Sequence, residues 1–302
     1  MKHTLGGTLL VYLVSVVSIV LWGMSYIWSD QLLRLDIPVI YIVCIRSLVA
    51  GIVLMCLNLV FGNSIRIQRK DMPQFLLLAF CEPFIYFVCE TYGIKLTESP
   101  TYSALVIATA PIFSVAAGVA LFHERVNWIN ILGIGVCLVG LGIVTHGATE
   151  VGEHFLLGVL LLVVAVISEV GYAACTKSLS SRYKPMVIVQ YQFLIGGALL
   201  LPLFCTMGLK DYDAAVYMSW DVWKPILCLA ILCSSVAFTL WATTIKNLGV
   251  AKASIFLAMI PVVTAFIGAI LGTELLTRLQ WTGIAIAFSG LVLTQYVRRR
   301  KR

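Results

Sequence analysis

Apolar residues dominate this chain in runs of about 20, each ended by a short polar break. Ten such runs can be marked, at about 8–28, 38–61, 72–94, 100–122, 127–145, 155–176, 185–207, 224–245, 250–272 and 278–297. Each is long enough, at about 1.5 Å per residue, to cross a hydrocarbon layer of roughly 30 Å as a helix. Lipid offers the backbone no hydrogen-bond partner, so helices are the expected state throughout. The pattern predicts an all-α, polytopic membrane protein of ten transmembrane spans, with the first run retained as a span.

The pattern also repeats. The segment from Ile107 to Val144 matches one 150 positions later, with Pro111 on Pro261, Glu124 on Glu274, Gly133 on Gly283 and Gly140 on Gly290. Asn127 and Thr277, both good N-caps, coincide, and Thr277 with Gln280 fits a capping box. Upstream the match continues at an offset of 151, where Leu78-Ala79 falls on Leu229-Ala230. A self-match at half the chain length predicts two structural repeats, residues 8–145 and 155–297. Five spans per repeat is an odd number, so the two halves must insert in opposite senses. Inverted repeats of this kind are a secondary-transporter architecture.

Charge fixes the orientation. Of 21 Lys and Arg, fifteen fall on one side if the N-terminus is cytoplasmic: Lys2, Arg66, Arg69, Lys70, Arg125, Lys177, Arg182, Lys184, Lys246, Lys252 and the tail from Arg298 to Arg302. Arg34, Lys95, Lys210, Lys224 and Arg278 fall on the other, and Arg46 lies within a span. The bias predicts both termini inside. It also accounts for the net charge of +7 without nucleic acid. With 61% hydrophobic and 12% charged residues, against about 25% charged in soluble domains, no sizeable water-soluble domain is expected. The nine cysteines lack metal-ligand spacing and read as small buried hydrophobes. No metal or other cofactor is implied.

Trp22-Gly23, Arg46, the Pro111…Glu124-Arg125…Gly133…Gly140 run and its second copy together resemble the EamA family of the drug/metabolite transporter superfamily, as two tandem repeats over nearly the whole chain. The second copy departs from the pattern, since Arg125 becomes Leu275 and no residue of span 7 matches Arg46. The resemblance implies a carrier of metabolites or amino acids in the cell membrane, often an exporter, as monomer or homodimer.

Four ionisable residues lie within the spans: Arg46, Glu82, Glu90 and Glu169. A charge there costs about 3 kcal/mol by insertion scales and demands a partner or water. Glu82, Tyr86 and Glu90, spaced by four, share one stripe of span 3. Helical rise puts Arg46 of span 2 at a depth between the two glutamates. Either the stripe faces a solute cavity with Arg46 opposite, or Arg46 pairs with a carboxylate and locks two helices. Pro83 predicts a bend with a freed carbonyl beside Glu82, which makes Glu82 the candidate proton carrier. Glu169, Trp22, Gln192 and Trp241 are further cavity candidates, with Tyr102, Gln190, Ser234 and Ser235 behind them. Pro111 and Pro261 are candidate hinges. Gly268 and Gly272, like the other spaced glycines, read as packing, and Glu124 and Glu274 as carboxylates serving the helix that follows them. A membrane enzyme acting on a lipid-linked substrate would need a histidine, metal or nucleophile set that the spans lack. A non-transporting receptor or assembly subunit predicts no central polar cavity. No GxxxxGK[ST] segment is present, so active transport would draw on an ion gradient, with protons the candidate coupling ion.

Overall fold

A computed structural model describes residues 5–63, 66–110, 112–113, 128–146, 154–209 and 214–294. Among them every regular element is helical. In the first half these are α1 (Leu5–Arg34), α2 (Val39–Val60), α3 (Met72–Ala79), α4 (Tyr86–Thr97), α5 (Pro100–Ile107) and α6 (Trp128–His146). In the second they are α7 (Phe155–Leu179), α8 (Pro185–Leu203), α9 (Ala214–Tyr217), α10 (Trp220–Leu227), α11 (Phe238–Leu248), α12 (Val250–Leu257), α13 (Ile260–Leu271) and α14 (Arg278–Thr294). Widened π-type turns join α3 to α4 (Phe80–Ile85) and α10 to α11 (Cys228–Ala237).

By length and composition, six helices can cross a membrane: Leu10–Arg34, Val39–Val60, Arg69–Thr97, Phe155–Leu179, Pro185–Gly208 and Trp220–Leu248. Three shorter apolar helices accompany them, and much of span 4 lies outside the described residues. Outward-facing positions are themselves apolar, with Val60, Leu156, Ile167, Phe266 and Ile270 all more than half exposed. That is the surface of a protein whose outer solvent is hydrocarbon.

Glycines set the helix contacts. A Cβ on Gly140 would lie 2.3 Å from the backbone nitrogen of Ala287, and one on Gly290 would lie 2.4 Å from that of Cys137. Gly283 meets Val144 in the same way. Climbing α6 from Cys137 through Gly140 to Val144 therefore descends α14 from Gly290 through Ala287 to Gly283, so the two helices run antiparallel. The α2–α8 pair is antiparallel too, since Gly51 meets Leu194 and Gly197 meets Leu48. Small residues allow this approach where no hydrophobic effect drives helices together. Gly140→Ala should therefore lower stability by about 1–3 kcal/mol, the usual cost of overpacking. Gly142→Ala, whose Cβ would meet nothing within 4 Å, should be neutral. Thermal unfolding in detergent compares the two, and equal midpoints would remove the glycine seam.

The capping box forms as expected: Gln280 Oε1 accepts from the Thr277 amide at 2.8 Å, and the Gln280 amide donates back to Thr277 Oγ1 at 3.2 Å. Three expectations change. Gly272 is not a packing glycine; it ends α13 in the left-handed region, φ 67°, with nothing within 4 Å of its Cβ position. Cys56 and Cys205 are exposed rather than buried, facing outward on an apolar surface. Glu274 does not serve its own following helix. It accepts hydrogen bonds from Ser99 Oγ, from the Thr101 amide at 3.1 Å and from Thr101 Oγ1 at 2.5 Å, at the start of α5 in the other half. The dipole logic holds, but the helix it serves is one the chain brings up from 170 residues away.

Candidate functional site

The third span is broken where its glutamate sits. Glu82 has an extended backbone, φ −148° and ψ 120°, followed by Pro83. Two features of the second half accept the break. The carbonyl of Cys81, which also accepts the Tyr86 amide, takes a 2.6 Å hydrogen bond from Ser168 Oγ on α7. Gly196 on α8 leaves the space that Pro83 fills, since a Cβ there would lie 2.3 Å from the proline Cδ. The bend expected from Pro83 is present, and Glu82 itself is its pivot.

The fourth and ninth apolar runs break as well, at equivalent places. α5 stops at Ile107 and helix resumes at Ala110; α12 stops at Leu257 and α13 starts at Ile260. Pro261 stands in the first turn of α13, where its missing N–H costs no bond. Pro111 lies outside the described residues.

These breaks meet around one narrow cavity between the halves, whose enclosed space of about 30 Å³ is enough for a water molecule. Ile107 and Ala110 from one break face Leu257 and Ile260 from the other. The polar wall comes from Arg46 on α2, Glu82, Tyr86 and Glu90 of span 3, Glu169 on α7, and Trp22, Ser25 and Tyr26 on α1; Phe87 and Phe238 supply aromatic faces. Six of the eight cavity candidates thus converge. Gln192 and Trp241 are buried but do not form this wall. Trp241 stands behind Trp22 at 5.2 Å between ring centroids, and neither amide atom of Gln192 has a hydrogen-bond partner among the described residues. Of the residues held in reserve, Ser234 contacts Arg46 directly, and Gln190 accepts from Asn58 at 2.8 Å.

The charges are buried but not paired. Arg46 is 2% exposed, Glu82 2% and Glu90 6%. Among the described residues no carboxylate oxygen lies within 4.0 Å of the Arg46 guanidinium, so the helix-locking pair does not form. Instead the guanidinium stacks 3.8 Å from the Phe87 ring centroid, and Nε donates to Ser234 Oγ at 3.2 Å. Among the described residues Arg46 Nη1 and Glu82 Oε2 have no hydrogen-bond partner, nor do the Tyr26 hydroxyl and the Trp22 indole nitrogen. Tyr86 donates to Glu90 Oε1 at 3.0 Å. A site that keeps a guanidinium and a carboxyl group desolvated and partly unsatisfied is arranged to complete its bonds with something brought in.

Tyr26, Ser25, Phe87 and Phe238 had not been picked out from the sequence. Ser25 and Tyr26 were legible in principle, three and four positions after Trp22 on the same helical face. Phe87 and Phe238 carry no signal that separates them from other core aromatics.

The sequence matches the EamA-like transporter family over residues 9–146 and again over 156–296. The chain belongs to that family. Similar proteins include the uncharacterised transporter YetK of Bacillus subtilis, 25% identical over 85% of this chain and 78% of its own length. An uncharacterised transporter of Archaeoglobus fulgidus is 26% identical over 96% and 99%. A probable terminal-alkyne amino-acid exporter of Streptantibioticus cattleyicolor is 26% identical over 76% and 74%. A solved crystal structure shares the fold with a TM-score of 0.70 at 18% identity, over 94% of this chain and 95% of its own. This EamA chain is a multi-pass protein of the cell membrane, and its relatives are transporters rather than enzymes.

Proposed function

We propose that this EamA protein is a secondary transporter that moves a small amino acid or similar metabolite across the cytoplasmic membrane, as an exporter, by alternating access. The observation that carries the reading is the cavity: desolvated, bounded by both halves, and walled by broken helices at equivalent positions. Arg46 Nη1 is the group placed to meet a solute carboxylate, and Glu82, Glu90 and Glu169 surround the position of an amine. Glu82 is the proposed proton carrier. Ten spans, in inverted repeats of residues 8–145 and 155–297 with both termini cytoplasmic, complete the proposal. The antiparallel packing of α2 on α8 and of α6 on α14, each pair holding matching places in the two repeats, supports the inversion. The positive-inside bias supports the orientation.

Alternating access requires contacts between the halves that break in turn, and two such clusters occupy opposite ends of span 3. At its start, Asp71 accepts from Arg182 Nη1 at 2.5 Å and from the Tyr183 hydroxyl at 2.6 Å. Beyond its end, Glu274 holds the start of α5. Hydrogen bonds to a charged group are worth about 1.5–3 kcal/mol. Glu274→Gln should therefore speed deuterium exchange at the Thr101 and Tyr102 amides by about tenfold or more. Unchanged protection there would show that Glu274 closes nothing.

The function itself is tested by comparing metabolites inside and outside cells with and without the gene, then measuring flux of the accumulated compound with purified protein in proteoliposomes. No change in any small solute, and no flux, would overturn the proposal.

A further inference from the structure

One helix face below the cavity remains unexplained by solute binding. From Glu169, α7 carries Tyr172 and Thr176, and Ser180 follows as its C-cap, at steps of three, four and four, which is a single stripe. All three are buried: Tyr172 and Thr176 are 0% exposed and Ser180 3%. Among the described residues neither the Tyr172 hydroxyl nor Thr176 Oγ1 makes a hydrogen bond of full geometry, although the two side chains lie close enough to interact with each other. Two adjacent hydroxyls so placed are costly to bury unless water or a passing proton uses them. Helical side chains lean toward the N-terminus, so Tyr172 leans toward Glu169. Its ring packs on Phe238 of the cavity wall, with centroids 5.9 Å apart. At the far end Ser180 Oγ bonds the Thr176 carbonyl at 2.6 Å, next to the exposed Ser181 and Arg182. Glu169 to Ser180 spans about 16 Å.

We infer that Tyr172 and Thr176 form a proton-access path from the Ser180 end of α7 to the Glu82–Glu169 carboxylates, separate from the route the solute takes. The inference rests on the proposal that these carboxylates carry the coupling proton. In each transfer Tyr172 gives its hydroxyl proton to the carboxylate and takes one back from the Thr176 side, through a bridging water, so one proton moves and both hydroxyls are restored. Other charged or titratable groups around the carboxylates are Glu90 and Tyr86 of span 3, Arg46 of α2, Tyr26 of α1 and Cys81. None lies on the stripe toward Ser180.

Infrared spectroscopy of the reconstituted full-length protein after a jump in pD tests the path, with D2O as the probe. In the wild type a carboxylic-acid band should respond to pD, and Glu82→Gln or Glu169→Gln should remove part of it. Tyr172→Phe with Thr176→Val should leave the equilibrium amplitude intact but slow the band's response by about tenfold or more. Thr176→Ser, which keeps the hydroxyl, should restore the rate, and Thr176→Val alone reports if the double variant fails to fold. An unchanged rate in the Val variants, with the wild-type band present, overturns the path and leaves the proton-carrier reading standing. A wild type with no pD-responsive carboxyl band overturns that reading, and the path falls with it.

Discussion

Replacing Glu82 by glutamine should abolish the pH-dependent component of transport in proteoliposomes while leaving the protein folded. Glu82 is almost fully buried at the break in span 3 and lines the cavity, and one of its oxygens has no partner among the described residues. Glutamine keeps the shape and most of the hydrogen-bonding capacity but cannot take up or release a proton. A charge near the bilayer centre costs about 2.5–3.5 kcal/mol by insertion scales, so a neutral amide should be no less stable. The unfolding midpoint should hold or rise. Loss of all pH dependence with retained solute binding would assign the proton to Glu82. An unchanged transport rate and pH profile would remove it from the mechanism. Loss of folding would instead mark the carboxylate as structural, and Glu82→Asp then separates the two, because it keeps the proton-carrying group.

What the sequence disclosed about this site follows from which signals are local. Glu82, Tyr86 and Glu90 stand out because a charge in an apolar run is expensive and a spacing of four fixes a common face. Pro83 announces a bend by its chemistry alone. The family and its two repeats were legible in the spacing of Pro111, Glu124, Gly133 and Gly140 and their second copies. The rest depends on which helices become neighbours. Glu274 was read as serving the helix after it, whereas it holds one that precedes it by more than 170 residues; spacing along the chain carries no record of that meeting. Gly272 was grouped with the packing glycines because a spacing of four from Gly268 suits one face, but its positive φ belongs to a helix end. Gly196, which leaves room for Pro83, and Ser168, which donates to the Cys81 carbonyl, look ordinary until α7 and α8 are seen beside the bend. The sequence also left open whether Arg46 pairs with a glutamate, because depth along two helices does not fix where side chains point across them.

Arg46 should prove to be the anchor for the solute's anionic group, and Arg46→Met should weaken solute binding by about 2–5 kcal/mol, roughly thirtyfold or more. The guanidinium is held from two sides, by the Phe87 ring at 3.8 Å and by Ser234 Oγ at 3.2 Å. With Nη1 unpartnered among the described residues, one donor edge remains for a carboxylate. Stacking over a desolvated ring is worth about 2 kcal/mol or more, enough to orient the group but not to replace an anion. Arg46→Lys should fail nearly as badly, because an ammonium cannot lie flat on Phe87 while presenting a fork to a carboxylate. Stability discriminates between the two roles. If Arg46 were a structural brace, Arg46→Met would lower the unfolding midpoint and spare binding. If it waits for a solute, removing an unpaired buried charge should hold or raise the midpoint while binding is lost. A decarboxylated analogue of the solute should then bind wild type and Arg46→Met about equally, because the group that tells them apart is gone from both.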